Sequence, residues 1–71
     1  MKIVIIKCHD YADFLAARAT LGDCRVNYTI GMDEETSYVV FDISFIRYIF
    51  VRKALAREMD RGARFSIIET A

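Results

Sequence analysis

Three adjacent residues near the start of the chain carry side chains that enzymes commonly use. Cys8, His9 and Asp10 supply a thiol, an imidazole and a carboxylate in one short run. Adjacent residues on an extended strand point to opposite faces of a sheet, so Cys8 and His9 do not readily form a nucleophile–base pair. Asp10 is also a natural helix cap. We therefore expect a structural role for this run and a protein that is not an enzyme.

Metal binding is the other chemistry that these side chains could support. Cys8, His9 and Cys24 lack the close ligand pairs of known zinc sites, and the acidic turn at 32–35 lacks the spacing of a calcium loop. The chain also has no glycine-rich phosphate loop. We expect no metal and no cofactor. Two cysteines are too few for a disulfide framework, so we expect reduced thiols and a cytoplasmic protein.

The composition predicts one small folded domain covering residues 1–71. Apolar residues make up 55% of the chain, which is too hydrophobic for a disordered protein. A core of this size leaves a small margin of stability, which raises the expectation of a homodimer. The apolar run at the start is too short for a signal peptide, and no segment has the length of a membrane span. We expect no membrane partner.

The charges of the chain balance overall but are unevenly distributed. Ten basic and ten acidic residues argue against a general nucleic-acid binder, which usually has a positive excess. Residues 1–45 carry four basic and seven acidic side chains, whereas residues 46–71 carry six basic and three acidic ones. The basic side of the protein is therefore expected on the second predicted helix and the strand after it.

Hydrophobic periodicity predicts six elements in the order β-α-β-β-α-β. The first and third strands are apolar on both faces, as central strands are, and the second alternates as a strand with one buried face does. Asp10 and Gly22 bound the first helix, and Ser44 or Asp42 and Gly62 bound the second. The predicted segments are strand 2–8, helix 9–22, strand 23–30, turn 31–35, strand 36–43, helix 44–62 and strand 63–70.

This order predicts a ferredoxin-like α+β fold. The crossover rule places both helices on one face of a four-stranded antiparallel sheet. The first and third strands lie in the centre of the sheet in this fold, in agreement with their apolar character on both faces.

The second predicted helix has more apolar residues than one buried face requires. A broad stripe is expected to face the sheet and contains Phe45, Tyr48, Ile49, Val51, Leu55, Ala56 and Met59. Ile46 and Phe50 lie on another side, one turn apart, and Lys53, Arg57 and Arg61 continue that side. This side either packs against the first helix or forms a docking face for an acidic or amphipathic protein partner.

The sheet face without helices is predicted to form a second surface. Soluble monomers rarely leave such an apolar patch uncovered, so it should meet a second copy, another protein or a ligand. Lys7 and Asp42 are expected on the same face. The candidate contact residues are Ile3, Ile5, Arg25, Tyr38, Val40, Arg64 and Ile68.

RNA or single-stranded DNA binding is an alternative use of this face, because RNA-recognition domains share the strand–helix order. Those domains carry two aromatic residues at alternate positions of the third strand. Here Tyr38 takes one position, Val40 takes the other, and the first strand has no aromatic residue. Arg25, Arg64 and Lys7 could still contact phosphates. A small-ligand sensor dimer is a further alternative, although no residue marks a ligand pocket.

The favoured function is a non-catalytic protein-interaction module that regulates or inhibits a larger protein. Small cytosolic domains without motifs are often encoded by phages or mobile elements and disable a host protein. That expectation depends on size and on the lack of motifs, and no residue of the chain carries it.

Overall fold

The computed structural model describes residues 1–70. It has the predicted β-α-β-β-α-β order and the ferredoxin-like α+β arrangement. The elements are β1 (Lys2–Cys8), α1 (Tyr11–Asp23), β2 (Thr29–Met32), β3 (Ser37–Ile43), α2 (Phe45–Asp60) and β4 (Ser66–Thr70). None of the helices within the described residues is long and apolar enough to cross a lipid bilayer.

The four strands form one antiparallel sheet with the spatial order β2-β3-β1-β4. The two strands that are apolar on both faces, β1 and β3, are therefore central, as predicted. Ile5 lies opposite Val40 of β3 on one side and opposite Ile68 of β4 on the other. This register places alternate residues of all the strands on the same face.

The hydrophobic core lies between one face of the sheet and the two helices. Alternate residues of β1 and β3 point into it, which is the consequence of the two-residue period of a strand. The helices contribute narrow stripes at spacings of three or four residues. The buried residues of these four elements include Val4, Ile6, Cys8, Phe14, Ala17, Leu21, Val39, Phe41, Ile43, Tyr48, Val51 and Leu55.

The predicted strand 23–30 is wrong over residues 23–28. Helix α1 continues through Gly22, and the chain then turns at Arg25, which adopts a left-handed conformation with φ of 57°. The amide of Val26 donates to the Leu21 carbonyl at 2.9 Å, and that of Arg25 donates to Gly22 at 3.0 Å. These two bonds define a Schellman helix end with arginine in the position that usually holds glycine. Only Thr29–Met32 pairs with β3.

Helix α2 begins and ends with the expected signals. The Ser44 hydroxyl accepts a hydrogen bond from the Arg47 amide at 3.4 Å, as a helix N-cap does. Gly62 has φ of 110° and its amide donates to the Met59 carbonyl, so it provides the left-handed turn that ends the helix. Asp10 occupies the N-cap position of α1, but its side chain makes no capping bond.

The hairpin between β2 and β3 turns later than predicted. Gly31 belongs to β2, and the turn is formed by residues 33–36. The Asp33 carboxylate accepts hydrogen bonds from the amides of Glu35 and Thr36, at 3.1 and 2.9 Å, which is an Asx-type turn. The last strand, predicted to start at residue 63, starts at Ser66.

Candidate protein-binding surface

Helix α2 buries a narrower face than the sequence predicts. Tyr48, Val51 and Leu55 are its buried residues. Phe45 and Ile49, which were expected to face the sheet, are 67% and 55% exposed. Met59 and Ala56 are exposed as well. The predicted buried face was too wide because two helices share one face of a four-stranded sheet. Each helix therefore buries only a narrow row of side chains against the sheet.

The sequence does not decide whether Ile46 and Phe50 pack against the first helix or face a partner. Ile46 is 73% exposed and Phe50 is 66% exposed, so α1 does not cover them. The predicted alternative in which these two side chains pack against the first helix is therefore wrong.

These exposures join four large side chains into one surface, which we call the α2 apolar patch: Phe45, Ile46, Ile49 and Phe50. The four residues occupy two successive turns on the outward side of the helix, at spacings of one, three, four and five residues. Exposed single apolar residues are common on proteins, but a contiguous cluster of two phenylalanines and two isoleucines is not. The sequence signalled half of this patch and misassigned the other half to the core.

A run of basic residues continues the outward side of α2 toward its C-terminus. We call Lys53, Arg57 and Arg61 the α2 basic ladder, and all three are exposed. The Nη1 atom of Arg61 lies 3.4 Å from the Glu58 carboxylate. Within residues 1–70, Lys53 and Arg57 form no ion pair.

Two acidic residues lie near the basic ladder and reduce its excess charge. Asp60 is exposed in the last turn of α2, and Asp23 of α1 lines a groove together with Arg57 and Arg61. Neither carboxylate forms an ion pair among the described residues. The local charge is therefore close to balanced, but Lys53 and Arg57 remain without an ion pair among residues 1–70 and are available to acidic groups of a partner.

A cluster of charged residues borders the patch on its β1 and β4 side. The Nζ atom of Lys2 lies 4.8 Å from the centre of the Phe45 ring and 3.2 Å from Oε1 of Glu69. Arg52 approaches the other Glu69 oxygen at 3.7 Å. The hydrogen bond from Lys2 is the main cause that holds the pKa of Glu69 below its usual range. This cluster fixes the Phe45 end of the patch.

The Tyr48 hydroxyl is buried behind this charged cluster. Among residues 1–70, no donor or acceptor is placed to form a hydrogen bond with this hydroxyl. Burial, and secondarily the Glu69 carboxylate, raise the pKa of Tyr48 to about 12. Tyr48 is consequently a neutral core residue whose ring, 6.5 Å from that of Phe41, supports α2 from beneath.

The apolar surface of α2 continues toward the edge of the sheet. A groove between α2 and β4 is lined by Arg52, Ala56, Met59, Phe65 and Ile67. Strand β4 is an edge strand, so this groove is open on the side away from β1. No sequence signal marked the groove, because its two walls are far apart along the chain.

The open sheet face contains most of the residues predicted for it. Ile5, Val40 and Ile68 form one row across three strands, and Ile3 lies in the next row beside Thr70. Ile3 and Ile68 are exposed, whereas Ile5 and Val40 are half-buried by their neighbours.

Two basic residues assigned to the open face lie outside the strands. Arg25 belongs to the turn after α1, where its carbonyl accepts a hydrogen bond from Arg47 Nη2 at 3.3 Å. Arg64 precedes β4. Both are exposed. Their placement in the sheet was wrong because both flanking strands begin later than the alternation indicated.

Tyr38 lies on the open face with its hydroxyl engaged. The hydroxyl donates to Oδ2 of Asp33 at 2.7 Å, which lowers the pKa of Asp33 and raises that of Tyr38. A carboxylate at this position repels phosphate, so the local charge does not favour a nucleic-acid backbone. Nucleic-acid binding by Tyr38, Arg25 and Arg64 stays a prediction.

One shallow groove on the open face bears on the small-ligand alternative. It has a volume of about 510 Å³, and ligand pockets of similar volume are common. Asp42 is the charged side chain of its lining, so a ligand there would need apolar or cationic groups. Sensing of a small ligand stays a prediction. The groove is lined by Met1, Ile3, Asn27, Tyr28, Thr29, Val40, Phe41 and Asp42.

The Cys8–His9–Asp10 run is divided between the core and the surface. Cys8 is buried, and burial is the main cause that raises the pKa of its thiol to about 11. His9 and Asp10 are exposed. The described part of the chain, residues 1–70, contains no group of three or more His, Cys, Asp or Glu residues that could hold a metal ion.

The chain matches no protein-family model, and no curated protein matches it. The geometry and charge of the α2 surface and of the open sheet face are therefore the observations that bear on function.

Proposed function

We propose that this protein is a small, non-catalytic interaction module that regulates or inhibits a larger protein by docking through α2. The observation that carries the proposal is the exposure of Phe45, Ile46, Ile49 and Phe50 on two successive turns. The docking surface consists of the α2 apolar patch and the α2 basic ladder.

The energetic argument begins with the apolar patch. Full burial of one fully exposed Phe or Ile side chain is worth roughly 1.5–3 kcal/mol. The four patch side chains are between 55% and 73% exposed, so docking gains somewhat more than half of that from each, which in sum is comparable with the cost of association. Two of the four are aromatic, and binding hot spots are enriched in large side chains at the centre of an interface. Because helical structure fixes all four positions in advance, little conformational entropy is lost on docking.

The charges select the partner. Lys53 and Arg57 lie directly after the patch and lack ion pairs within residues 1–70. A partner that covers the patch with apolar side chains gains additional ion pairs if it carries acidic residues at one end. We therefore assign as occupant an amphipathic protein surface, most simply a helix, with one acidic end.

A second copy of the chain is a poor occupant of the α2 surface. A two-fold axis through the patch would bring two basic ladders to the same interface. The α2 apolar patch and the α2 basic ladder contain no carboxylate of their own, so the same surface of a second copy has no acidic side chain to place against Lys53 and Arg57. Self-association through α2 would therefore leave Lys53 and Arg57 without acidic partner residues from the contacting surface.

The test uses two variants of the docking surface and one matched control. Phe50→Ala removes a patch side chain and Arg57→Glu reverses a ladder charge, while Glu34→Lys changes an exposed charge in the β2–β3 turn. Each is titrated with a peptide that forms an amphipathic helix with acidic flanks, and with a matched peptide that has basic flanks. Backbone amide chemical shifts report where each peptide binds.

The proposal predicts that the acidic peptide shifts the α2 amides of the wild type and of Glu34→Lys, and that the basic peptide does not. Phe50→Ala should weaken binding at all salt concentrations, and Arg57→Glu mainly at low salt. Equal shifts with both peptides, or shifts confined to the sheet, would contradict the assignment. Pull-down from a cell lysate with the same variants then names the natural partner.

The proposed regulator acts in the cytoplasm. Cys8 and Cys24 are both free thiols, as expected in a reducing compartment. The small size and the exposed docking helix suit an antagonist encoded by a phage or a mobile element, a proposal that identification of the captured partner tests directly.

A further inference from the structure

The open sheet face carries two opposite charges at diagonal corners of an apolar centre. Ile5 and Val40 lie opposite each other at the middle of the face. Lys7 lies one row toward one end of the strands, and Asp42 lies one row toward the other end. The two charges are on neighbouring strands but about 14 Å apart along the strand direction.

Neither charge has a direct ionic partner in the part of the chain that the structure describes. Among residues 1–70, Lys7 and Asp42 form no ion pair. The Nζ atom of Lys7 lies 5.9 Å from the centre of the Tyr38 ring, and the Asp33 carboxylate, whose pKa is lowered first by the Tyr38 hydroxyl and last by Lys7, accepts a hydrogen bond from that hydroxyl at 2.7 Å. Asp42 is exposed beside Ile3.

We propose that a second copy of this chain covers the open sheet face, with Lys7 of each copy paired to Asp42 of the other. A two-fold axis in the plane of the interface, passing between Ile5 and Val40 and roughly perpendicular to the strands, interchanges the two corners. One such axis therefore makes two Lys7–Asp42 pairs at once and stacks the apolar centres on each other. The face is self-complementary in charge, which the α2 surface is not.

The arrangement agrees with the way in which two sheets pack. Sheets stack face to face with their strands about 30° from aligned, and an axis tilted slightly from the perpendicular gives such a crossing. Ile68 and Ile3 border the centre and would be covered as well.

The dimer is compatible with partner docking through α2. Both helices lie on the opposite side of the sheet, so stacking of the open faces leaves both α2 apolar patches uncovered. The two proposals can therefore fail separately: sheet variants change self-association, and α2 variants change peptide binding.

Charge exchange between the two corners tests the pairing. Lys7→Glu and Asp42→Lys are each measured alone, together in one chain, and as an equimolar mixture of the two single variants, by sedimentation velocity over a concentration series. Each single variant places like charges at both contacts, so its dimer should dissociate about tenfold more readily or worse. The double variant should recover the wild-type affinity. In the mixture, the two single variants should form a heterodimer, because the carboxylate introduced in one chain then faces the ammonium group introduced in the other.

Several outcomes would overturn the proposal. A wild-type chain that stays monomeric over the whole concentration series excludes the second copy. A dimer that persists in both single variants but disappears in Phe50→Asp would place self-association on α2. A double variant and a mixture that remain as weak as the single variants would show that Lys7 and Asp42 do not face each other. Circular dichroism of every variant confirms that the fold is kept.

Discussion

Arg25 and Gly62 occupy the same position at the ends of the two helices. Each follows the C-cap residue, each has a positive φ, and each donates its amide to a carbonyl of the last helical turn. The following residue completes the motif in both cases, through Val26 after α1 and Ala63 after α2. The chain thus uses one helix stop twice, with glycine in one copy and a strained arginine in the other.

Replacement of Arg25 by glycine should stabilise the protein. Glycine removes the clash of a side chain in the left-handed region and loses more backbone entropy on folding, which leaves a net gain of up to about 1 kcal/mol. Urea unfolding followed by circular dichroism measures the change. The matched variant Gly62→Ala should lose about as much, since an added Cβ there meets no atom within 4 Å and the cost is conformational. A destabilised Arg25→Gly would show that the arginine side chain has a structural role.

The α2 apolar patch should contribute little to folding. Phe50 is largely exposed and Leu55 is fully buried on the same helix. Phe50→Ala should therefore change the free energy of unfolding by less than about 0.5 kcal/mol, whereas Leu55→Ala should lower it by about 2–5 kcal/mol. Thermal or urea unfolding distinguishes the two. A large loss in Phe50→Ala would mean that this side chain packs against the protein in solution.

Acid should destabilise the protein through Glu69 and Asp33. The folded state lowers the pKa of both carboxylates, Glu69 mainly through Lys2 and Asp33 mainly through the Tyr38 hydroxyl. A lowered pKa gives stability that is present above the unfolded pKa and is lost as the pH falls through the folded pKa. The free energy of unfolding should therefore decline from weakly acidic pH downward.

Single substitutions test whether Glu69 and Asp33 cause this loss of stability in acid. Glu69→Gln and Asp33→Asn should each be less stable than the wild type at neutral pH and should approach it in acid. Glu35→Gln is the control, because the Glu35 side chain is exposed and its amide supplies the bond to Asp33. If the free energy of unfolding of a variant depends on pH in the same way as that of the wild type, the substituted carboxylate does not contribute to the acid dependence.

The two thiols should differ in reactivity. Cys8 is buried in the core with a pKa raised to about 11, whereas Cys24 is half-buried at the end of α1. A chromogenic disulfide reagent should modify Cys24 first and Cys8 only when the protein opens. Cys24→Ser should abolish the fast phase. Rapid modification of both thiols in the native protein would show that β1 is more accessible than its burial indicates.

Strand periodicity was sufficient to predict the order of the sheet. Strands β1 and β3 carry β-branched and apolar residues at both alternate positions, a pattern that is typical of central strands. The same periodicity misplaced the start of β2, because Cys24, Val26 and Tyr28 alternate with polar residues in a turn as they would in a strand. No sequence signal marked Arg25 as the left-handed residue, since glycine is the usual one.

The candidate site was only half predictable from periodicity. Ile46 and Phe50 were separated from the core-facing stripe correctly, but Phe45 and Ile49 were not. Angular position on a helix gives the order of side chains around the axis, whereas the width of the buried arc depends on the area of sheet beneath it. That area follows from strand lengths and from the position of α1, which are tertiary properties.

Helix α2 and the open face lie on opposite sides of the sheet, and this determines how many partner-binding sites the proposed dimer presents. A dimer stacked through its sheets presents two identical docking helices on its outer layers, facing away from each other. Against a partner that is itself oligomeric, engagement of the first helix raises the effective concentration of the second, so the avidity exceeds the affinity of either site. A chain of this size would then act as a cross-linker, and its potency would fall sharply below the concentration at which the dimer dissociates.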